Sequence, residues 1–258
     1  MNKSLDGPYL ELKGVSKDFG GLRAVNHLSL AVKKGELVSI IGPNGAGKTT
    51  LLNLITGILP VTQGEIWFRG QRIDRLPAHR ICHLGIARSF QNLQLFTNMS
   101  VVENVMIGCH KWMRSTFPEV MFSLGRVKKE HRDAFEQSLG KLSLLGLEKK
   151  VHEMPSSLAL KERKFLAIAR ALANEPELLF LDEPVGGLTI EEINEFGEMI
   201  LKMRERGLTI LFIEHRMELV KGISDRVIVL EFGEKIAEGT FEEIREDERV
   251  ISAYLGKS

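Results

Sequence analysis

The chain has 258 residues, of which 43% are hydrophobic and 27% charged, and its formal net charge is +1. These values are ordinary for a globular protein and indicate one large domain, or a core with a sub-domain. The near-neutral charge excludes a strong general attraction to nucleic acid, so no nucleic-acid partner is expected. The two cysteines form no metal spacing and suggest no disulfide framework, which fits a reducing, cytosolic setting. No apolar run reaches the ~20 residues of a membrane span and the N-terminus has no apolar signal region, so the chain is not expected to cross a membrane by itself.

The first third of the chain predicts several short strands around one helix. Alternating or continuous apolar residues predict strands at 9–15, 25–32, 37–41 and 65–68. Residues 17–21 are predicted to form a turn with one exposed aromatic residue. A helix is predicted from Lys48 to near Gly57, whose freedom suits a left-handed cap. Antiparallel strands at the start of the chain depart from a simple repeat of parallel strand and helix.

The rest of the chain predicts a helical segment followed by more strands. A capping box at Ser100 begins a helix, and residues 112–149 are basic with a helical period. A second capping box at Thr189 begins a later helix. Further strands are predicted at 86–90, 178–181, 208–213, 226–230 and 235–237. We therefore predict an α/β core formed by residues 1–90 and 175–258, with 91–174 as an inserted helical sub-domain. The apolar residues predicted to share one face of its long helix are Val127, Phe135, Leu139, Leu142 and Leu145.

A glycine-rich loop lies between the strand at 37–41 and the helix at Lys48. It has the pattern G-x-x-x-x-G-K-[ST], in which backbone N–H groups close around phosphates and the next helix presents its positive end. Lys48 is expected to reach the β- and γ-phosphates, and Thr49 to offer its hydroxyl to Mg²⁺. The alternative is an ordinary glycine turn. The candidate nucleotide-binding residues are Gly42, Pro43, Asn44, Gly45, Ala46, Gly47, Lys48, Thr49 and Thr50.

Polar residues follow four of the predicted apolar strands, at Gly42, Gln91, Asp182 with Glu183, and His215. Ligands of open α/β sheets bind at the carboxyl ends of strands, so these residues are expected to converge on one nucleotide. Asp182 suits a carboxylate that holds Mg²⁺ through water, and Glu183 suits a general base for the attacking water. The alternatives are a solvated acidic turn and, for His215, a structural histidine.

In order and spacing, these residues resemble the motifs of the ATP-binding-cassette (ABC) family of transporter ATPases. The resemblance covers nearly the whole chain. It matches residues 42–49 to the Walker A loop, Gln91 to the Q-loop and 178–182 to Walker B. Glu183 matches the catalytic glutamate, and His215 matches the switch histidine.

The resemblance implies a fold, two cofactors and a set of ligands. The fold would be a P-loop NTPase of the RecA-like type, with an antiparallel β sub-domain and an inserted helical sub-domain. The cofactors would be ATP and Mg²⁺, with adenine stacked on Phe19. Thr49, Gln91 and Asp182 would hold the metal. A small GTPase or kinase would leave Glu183 without a role, and the chain has no Asn-Lys-x-Asp guanine motif.

A closer likeness is to the ATP-binding subunits of branched-chain amino acid importers. The residues that carry it are Ile86 to Asn92, Phe96, Met99, Val102 to Val105 and Arg249 to Gly256. The likeness implies a peripheral subunit at the cytoplasmic face of the inner membrane, bound to transmembrane permease subunits. A periplasmic solute-binding protein would be an indirect partner. The alternative is an ABC-type clamp or regulatory ATPase without a transport role.

One family motif is altered. Where the family has Leu-Ser-Gly-Gly-Gln, used in trans against a partner's γ-phosphate, this chain has Leu158 followed by Ala159, Leu160, Lys161 and Glu162. The serine hydroxyl and both glycines are absent, so either Lys161 supplies a compensating charge or the half-site is weak. The weak half-site is the favoured interpretation, and it predicts a heterodimer with a second ABC ATPase subunit rather than a homodimer.

The stretch 93–96 is unusually apolar for a loop that follows Gln91. It either packs against the helical sub-domain or forms a docking cleft for a cytoplasmic helix of a membrane subunit.

Overall fold

The computed structural model describes residues 7–89, 94–111 and 125–255. Gln91 lies outside these ranges, and so do residues 92–93 and 112–124, which include part of the predicted helical segment. Within the described residues, no helix combines the length and the apolar character needed to cross a membrane.

The N-terminal strands form a four-stranded antiparallel sheet in the order β2-β1-β4-β5. Its strands are β1 (Leu10–Phe19), β2 (Leu22–Val32), β4 (Gln63–Phe68) and β5 (Gln71–Arg72). The predicted turn at 17–21 was wrong, because β1 continues to Phe19 and only Gly20 and Gly21 form the turn. A cross-strand pair between Arg23 Nε and Asp18 Oδ1, at 2.8 Å, holds this end of the hairpin closed.

A six-stranded sheet forms the core, in the order β10-β9-β3-β8-β7-β6. Its strands are β3 (Leu37–Ile41), β6 (Ile86–Ser89), β7 (Leu178–Asp182), β8 (Thr209–Ile213), β9 (Arg226–Glu231) and β10 (Glu234–Gly239). All neighbours are parallel except β9 and β10. The three strands β3, β8 and β7 are adjacent, so their carboxyl ends meet at one edge of the sheet.

Both faces of the six-stranded sheet are buried, and alternate residues of each central strand enter different cores. In β7, Leu178 and Phe180 pack with the antiparallel sheet, whereas Leu179 and Leu181 pack toward the helices on the other face. Burial on both faces explains why these strands are continuous apolar runs rather than alternating ones. The sheet therefore holds its carboxyl edge rigidly between two packed layers.

The helices follow the predicted order with some additions. They are α1 (Lys48–Ile55), α2 (Ala78–His83), α3 (Val101–Met106), α4 (Gly125–Leu144), α5 (Leu160–Leu172), α6 (Ile190–Glu205), α7 (Met217–Ile223), α8 (Phe241–Glu246) and α9 (Glu248–Leu255). The capping boxes at Ser100 and Thr189 are confirmed, and a third at Thr240 begins α8. Gly57 follows α1 with φ +69°, as predicted for a left-handed cap.

Helices α3, α4 and α5 lie between β6 and β7 in the chain and pack on one another. The buried face of α4 is formed by Ala134, Ser138 and Leu142, with Phe135 and Leu139 half-buried beside it. Of the predicted face, Leu142 and Leu145 are in the core and Phe135 and Leu139 pack against it, and the small residues Ala134 and Ser138 are buried with them. The apolar core of these helices is continuous with the core under the sheet.

Candidate functional site

The loop between β3 and α1 has a conformation that only glycine fits at two positions. Gly42 has φ +145° and Gly47 has φ +93°. A Cβ atom at Gly42 would lie 2.0 Å from the carbonyl oxygen of Leu230, and one at Gly47 would lie 2.4 Å from that of Ala24. The backbones of β9 and β2 thus press against the loop from outside and fix its curvature. Gly47 gives α1 no side-chain cap, so the first-turn N–H groups remain available to an anion.

The Lys48 ammonium lies inside the curve of the loop. Its Nζ donates to the carbonyl oxygens of Gly42, at 2.7 Å, and Pro43, at 2.9 Å, and the residue is buried. Thr49 is exposed and Thr50 is half-buried at the start of α1. This arrangement places a cation and the positive end of a helix at one concave backbone surface, as a chain of phosphates requires.

Asp182, at the end of β7, is only 3% exposed. Its Oδ2 accepts a 2.6 Å hydrogen bond from Arg88 Nη2, while its Oδ1 is buried without a hydrogen-bond partner among the described residues. A buried, unpaired carboxylate oxygen beside a phosphate loop fits a hydrated Mg²⁺ ion. Arg88 also donates from Nη1 to Asn53 Oδ1 on α1, at 2.5 Å.

Sequence analysis did not find Arg88 as a site residue. It lies on β6, where one charged residue stands in an otherwise small and apolar strand, and that mismatch was the available signal. Its partners are 35 and 94 residues away in the chain, so the pairing itself could not be predicted.

Glu183 and His215 come together as predicted. Glu183 Oε1 and His215 Nε2 are 3.2 Å apart across the ends of β7 and β8. Glu183 has φ +47°, an uncommon value for a residue with a Cβ, and its N–H donates to the Ile213 carbonyl at 3.0 Å. Backbone strain of this kind clusters at functional sites, since the surrounding structure must stabilise it.

Glu214 is a second residue that sequence analysis missed. Although it is a carboxylate, it is buried, and its oxygens accept from the backbone N–H groups of Val185, His215 and Arg216. It thereby fastens the segment after β8 to the segment after β7. Glu214 holds Glu183 and His215 in register, because each lies on one of these two segments.

Phe19 and Tyr254 are two further residues named in the family resemblance. Phe19 is 44% exposed, with Lys17 Nζ 5.1 Å from its ring centroid. Near the C-terminus, Tyr254 on α9 approaches the phosphate loop. Burial raises the pKa of its phenol, and a backbone hydrogen bond with Gly42 partly offsets that shift.

The altered family motif lies at the start of α5. Lys161 Nζ donates to Glu195 Oε2 on α6, at 2.7 Å, so its charge is already paired within the chain. Ala159 has no side-chain acceptor; its N–H donates to Glu162 Oε2 at 2.9 Å, and its carbonyl accepts from the Arg163 N–H at 3.0 Å. Leu160 is 45% exposed. This segment therefore presents an apolar side chain and a lysine whose ammonium is directed to Glu195 on α6.

An apolar groove of about 610 Å³ lies beside β6, between α2 and α5. Exposed apolar side chains of Ile58, Phe96 and Ile107 stand along it. The Asn104 side chain holds the loop of Phe96 by bonding both the N–H and the carbonyl of that residue. Among the described residues, Arg88 and Arg170 are the charged residues that line the groove. The Arg170 guanidinium is 5.7 Å from the Phe96 ring centroid, and burial lowers the pKa of Arg170.

Together, the parallel sheet, the glycine loop with its buried lysine and the Asp182 carboxylate define a P-loop nucleotide-binding ATPase. A family model described as "ABC transporter" matches residues 25–186, and one described as "Branched-chain amino acid ATP-binding cassette transporter" matches residues 234–258. The chain belongs to the ABC transporter family, as its motifs predicted, and it is an ATP-binding, ATP-hydrolysing subunit of that family. The predicted fold class is likewise confirmed.

Individual relatives resemble the chain over almost its whole length. The high-affinity branched-chain amino acid transport ATP-binding protein BraF of Pseudomonas aeruginosa is 40% identical, over 97% of this chain and 99% of that protein. LivG of Salmonella typhimurium, which carries the same description, matches with the same identity and coverage. The crystal structure of a nucleotide-free ATP-binding cassette from an ABC transporter superimposes with a TM-score of 0.85 at 30% identity, covering 97% of this chain and 100% of that one.

Proposed function

We propose that this chain is an ATP-binding subunit of an importer for branched-chain amino acids or a related small polar solute. One observation carries the proposal: the chain is 40% identical, from end to end, to subunits named for branched-chain amino acid transport. The match of residues 234–258 to the branched-chain family model supports it in the segment where Tyr254 approaches the phosphate loop. The subunit would lie at the cytoplasmic face of the membrane, bound to permease subunits, and a periplasmic solute-binding protein would deliver the solute.

The division of the chain follows the two sheets and the helices between β6 and β7. We assign 1–90 and 175–258 to the catalytic core with its β sub-domain, and 91–174 to the helical sub-domain. The supporting observation is that α3, α4 and α5 pack mainly on one another and on one face of the core.

The glycine loop binds the phosphates of ATP in this proposal. Backbone N–H groups from Gly42 to Thr50 surround the phosphate chain, and Lys48 exchanges its two carbonyl partners for phosphate oxygens. The adenine ring stacks on the exposed face of Phe19, as the family resemblance implies.

Thr49, Gln91 and Asp182 are the residues that would hold Mg²⁺, with Gln91 assigned from the resemblance alone. Mg²⁺ usually keeps several waters and is bound by one or two side chains and the substrate phosphates, so the unpaired Asp182 Oδ1 and the exposed Thr49 hydroxyl suit it. When bound, the metal neutralises charge that develops on the phosphates.

Glu183 is the general base of this proposal. Its carboxylate takes a proton from the attacking water, and it suits that role because it lies at the end of β7 beside Asp182 and is partly exposed. His215 orients this carboxylate through the 3.2 Å contact and reaches toward the γ-phosphate. Glu214 keeps the two side chains in register.

The composite site requires a second cassette, and we infer that the cellular partner is a different ABC ATPase subunit. In this family the segment at 158–162 completes a partner's site. Here Ala159 and Leu160 offer no hydrogen bond from their side chains, and the Lys161 ammonium is paired with Glu195. A homodimer would contain two such weak half-sites, whereas a heterodimer with an intact partner keeps one good site.

Replacing Lys161 with glycine distinguishes a weak half-site from a charge-compensated one. We expect Lys161→Gly to raise the ATPase rate of the purified chain at least about tenfold, since a backbone N–H donor to a developing anion contributes about 10²-fold. ATP hydrolysis at saturating ATP is the measurement. Glu195→Gln is the matched control, because it frees Lys161 without removing it. A rate that falls in Lys161→Gly and rises in Glu195→Gln would show that Lys161 supplies the missing contact.

We propose that the apolar groove docks a cytoplasmic helix of a permease subunit. The groove has exposed apolar side chains along its length, and helix-in-groove packing buries such a surface. Phe96→Asp is expected to reduce co-purification with permease subunits at least about tenfold, because losing the aromatic contact and desolvating a charged group in an apolar groove together cost more than 1.4 kcal/mol. Ile251→Asp, at a similarly exposed apolar residue of α9, is the control and should leave assembly intact. Unchanged co-purification of Phe96→Asp would contradict the docking site.

Co-purification with permease subunits, followed by ATPase assays with and without solute-loaded binding protein, tests the proposed function. We expect branched-chain amino acids to stimulate ATP hydrolysis in the reconstituted complex. A chain that forms no complex with any permease, or that hydrolyses ATP at a rate indifferent to the permease, would contradict a transport role and favour a clamp or regulatory ATPase.

A further inference from the structure

Arg88 connects three parts of the molecule through one side chain. It projects from β6 at the edge of the sheet, and only 5% of its side chain is exposed. Its guanidinium donates to Asn53 Oδ1 on the phosphate-loop helix α1 and to Asp182 Oδ2 at the end of β7. The same residue lines the apolar groove.

We infer that Arg88 is a positioning residue that couples the groove to the metal site. Arg88 holds the Asp182 carboxylate when Mg²⁺ is absent and shares the charge of that carboxylate with Mg²⁺ when the metal binds. The inference rests on the proposed function for the occupant of the groove. The link between Arg88 and Asp182 is independent of the proposed function, because both residues belong to this chain.

The link to the metal follows from charge. A buried carboxylate is costly without a partner, and Arg88 supplies one to Oδ2. The second oxygen, Oδ1, is buried and unpaired among the described residues. A hydrated Mg²⁺ at Oδ1 and the guanidinium at Oδ2 would then share one negative charge. Because two cations that share one anion weaken each other's binding, Arg88 and Mg²⁺ are negatively coupled, and the coupling is reciprocal.

The link to the groove follows from position. The two terminal nitrogens of the guanidinium donate to Asn53 and Asp182, and the same residue forms part of the groove wall. A helix that fills the groove must contact this wall. Any displacement of the side chain changes the contact with Asp182, because hydrogen bonds of 2.5 and 2.6 Å tolerate little movement. Occupancy of the groove therefore alters the Mg²⁺ requirement for nucleotide binding.

The test measures binding rather than turnover. The full chain carrying Glu183→Gln is titrated with a fluorescent ATP analogue at a series of Mg²⁺ concentrations and in EDTA. Arg88→Gln removes the charge but keeps hydrogen-bond donors. It should lower the Mg²⁺ concentration that gives half-maximal binding by about tenfold, since a unit charge this close is worth at least that much. Affinity in EDTA should be unchanged, and Arg88→Lys, which keeps the charge, should behave as the parent.

Arg226→Gln is the matched control in the same background. Like Arg88, Arg226 joins side chains from different segments, here the carboxylates of Glu36 and Glu238, but it lies at the opposite end of the sheet. It should leave the Mg²⁺ requirement unaltered. An unchanged Mg²⁺ requirement in Arg88→Gln, or an equal shift in Arg226→Gln, would overturn the inference. If Arg88→Gln does not unfold cooperatively, the Arg88→Lys titration decides, because an altered Mg²⁺ requirement with the charge retained contradicts the electrostatic link.

The second arm compares the chain alone with the chain bound to permease subunits. Assembly should shift the Mg²⁺ requirement of the Glu183→Gln parent and should leave that of the Arg88→Gln double variant where it was. Assembly without any shift in the parent would overturn the coupling to the groove. Failure to assemble with a permease at all would instead contradict the proposed function, so the two failures are distinguishable.

Discussion

Glu183→Gln is expected to abolish most ATP turnover while ATP binding is retained. A general base contributes about 10²- to 10⁴-fold to a rate, and glutamine cannot accept the proton. Glutamine has the same shape and still meets His215 at 3.2 Å, so the backbone of Glu183, with φ +47°, should be unaffected. Single-turnover hydrolysis of bound ATP measures the chemical step, and equilibrium binding of an ATP analogue measures the retained affinity.

Glu177→Gln is a suitable control for this experiment. Glu177 is a second partly exposed glutamate close to the same strand, but it pairs with Arg69 and Tyr9 at the other end of β7. It should leave hydrolysis intact. Single-turnover hydrolysis that is equally fast in Glu183→Gln and in the parent would remove Glu183 from the role of base.

The second large effect is expected from Gly47→Ala. The new Cβ would lie 2.4 Å from the Ala24 carbonyl oxygen, a backbone atom that cannot rotate away, and φ +93° is itself unfavourable for alanine. We expect the free energy of unfolding to fall by about 2–5 kcal/mol, as the sum of overpacking and left-handed strain. ATP binding should weaken about 10- to 100-fold, the equivalent of one or two charge-assisted hydrogen bonds lost from the displaced loop.

Gly45→Ala separates the close approach from the backbone conformation. Gly45 has φ +83°, but no atom lies within 4 Å of the place where its Cβ would be. It should lose only about 1–2 kcal/mol of unfolding free energy, from left-handed strain. Urea denaturation without nucleotide measures both variants. Equal losses in Gly45→Ala and Gly47→Ala would show that the backbone of β2 does not fix the loop at Gly47.

The strand ends that form the site could be predicted because the apolar runs that specify these strands are visible in the sequence. Continuous apolar runs such as 178–181 are buried on both faces, so they belong to a parallel sheet, and parallel strands bring their carboxyl ends together. That rule alone placed Gly42, Asp182 and His215 at one edge. The capping boxes at Ser100 and Thr189 were equally local and equally predictable.

What could not be predicted depends on contacts between distant segments. The Arg88 pair joins residues 94 apart, and Glu214 accepts a backbone hydrogen bond from Val185, 29 residues earlier. The turn at 17–21 was wrong because cross-strand pairing carries β1 to Phe19 and overrides the local turn residues. The short helix α2 contains a single fully buried residue, Ile81, and therefore shows no apolar period.

The altered family motif at 158–162 could be recognised from the sequence, but the environment of its lysine required the structure. The sequence reveals that Ala159, Leu160 and Lys161 replace residues that approach phosphate. It leaves open whether the lysine compensates. The 2.7 Å pair between Lys161 and Glu195 favours the weak half-site, because a phosphate must compete with that carboxylate for the ammonium.

The central claim is that this chain carries a complete phosphate loop whose hydrolytic site is completed by a different subunit. The most direct test compares the ATPase rate of the purified chain with that of the same chain assembled with a second cassette and the permease subunits. We predict that the chain alone binds ATP but hydrolyses it far more slowly than the complex. A purified chain that hydrolyses ATP as fast as the assembled transporter would contradict the account.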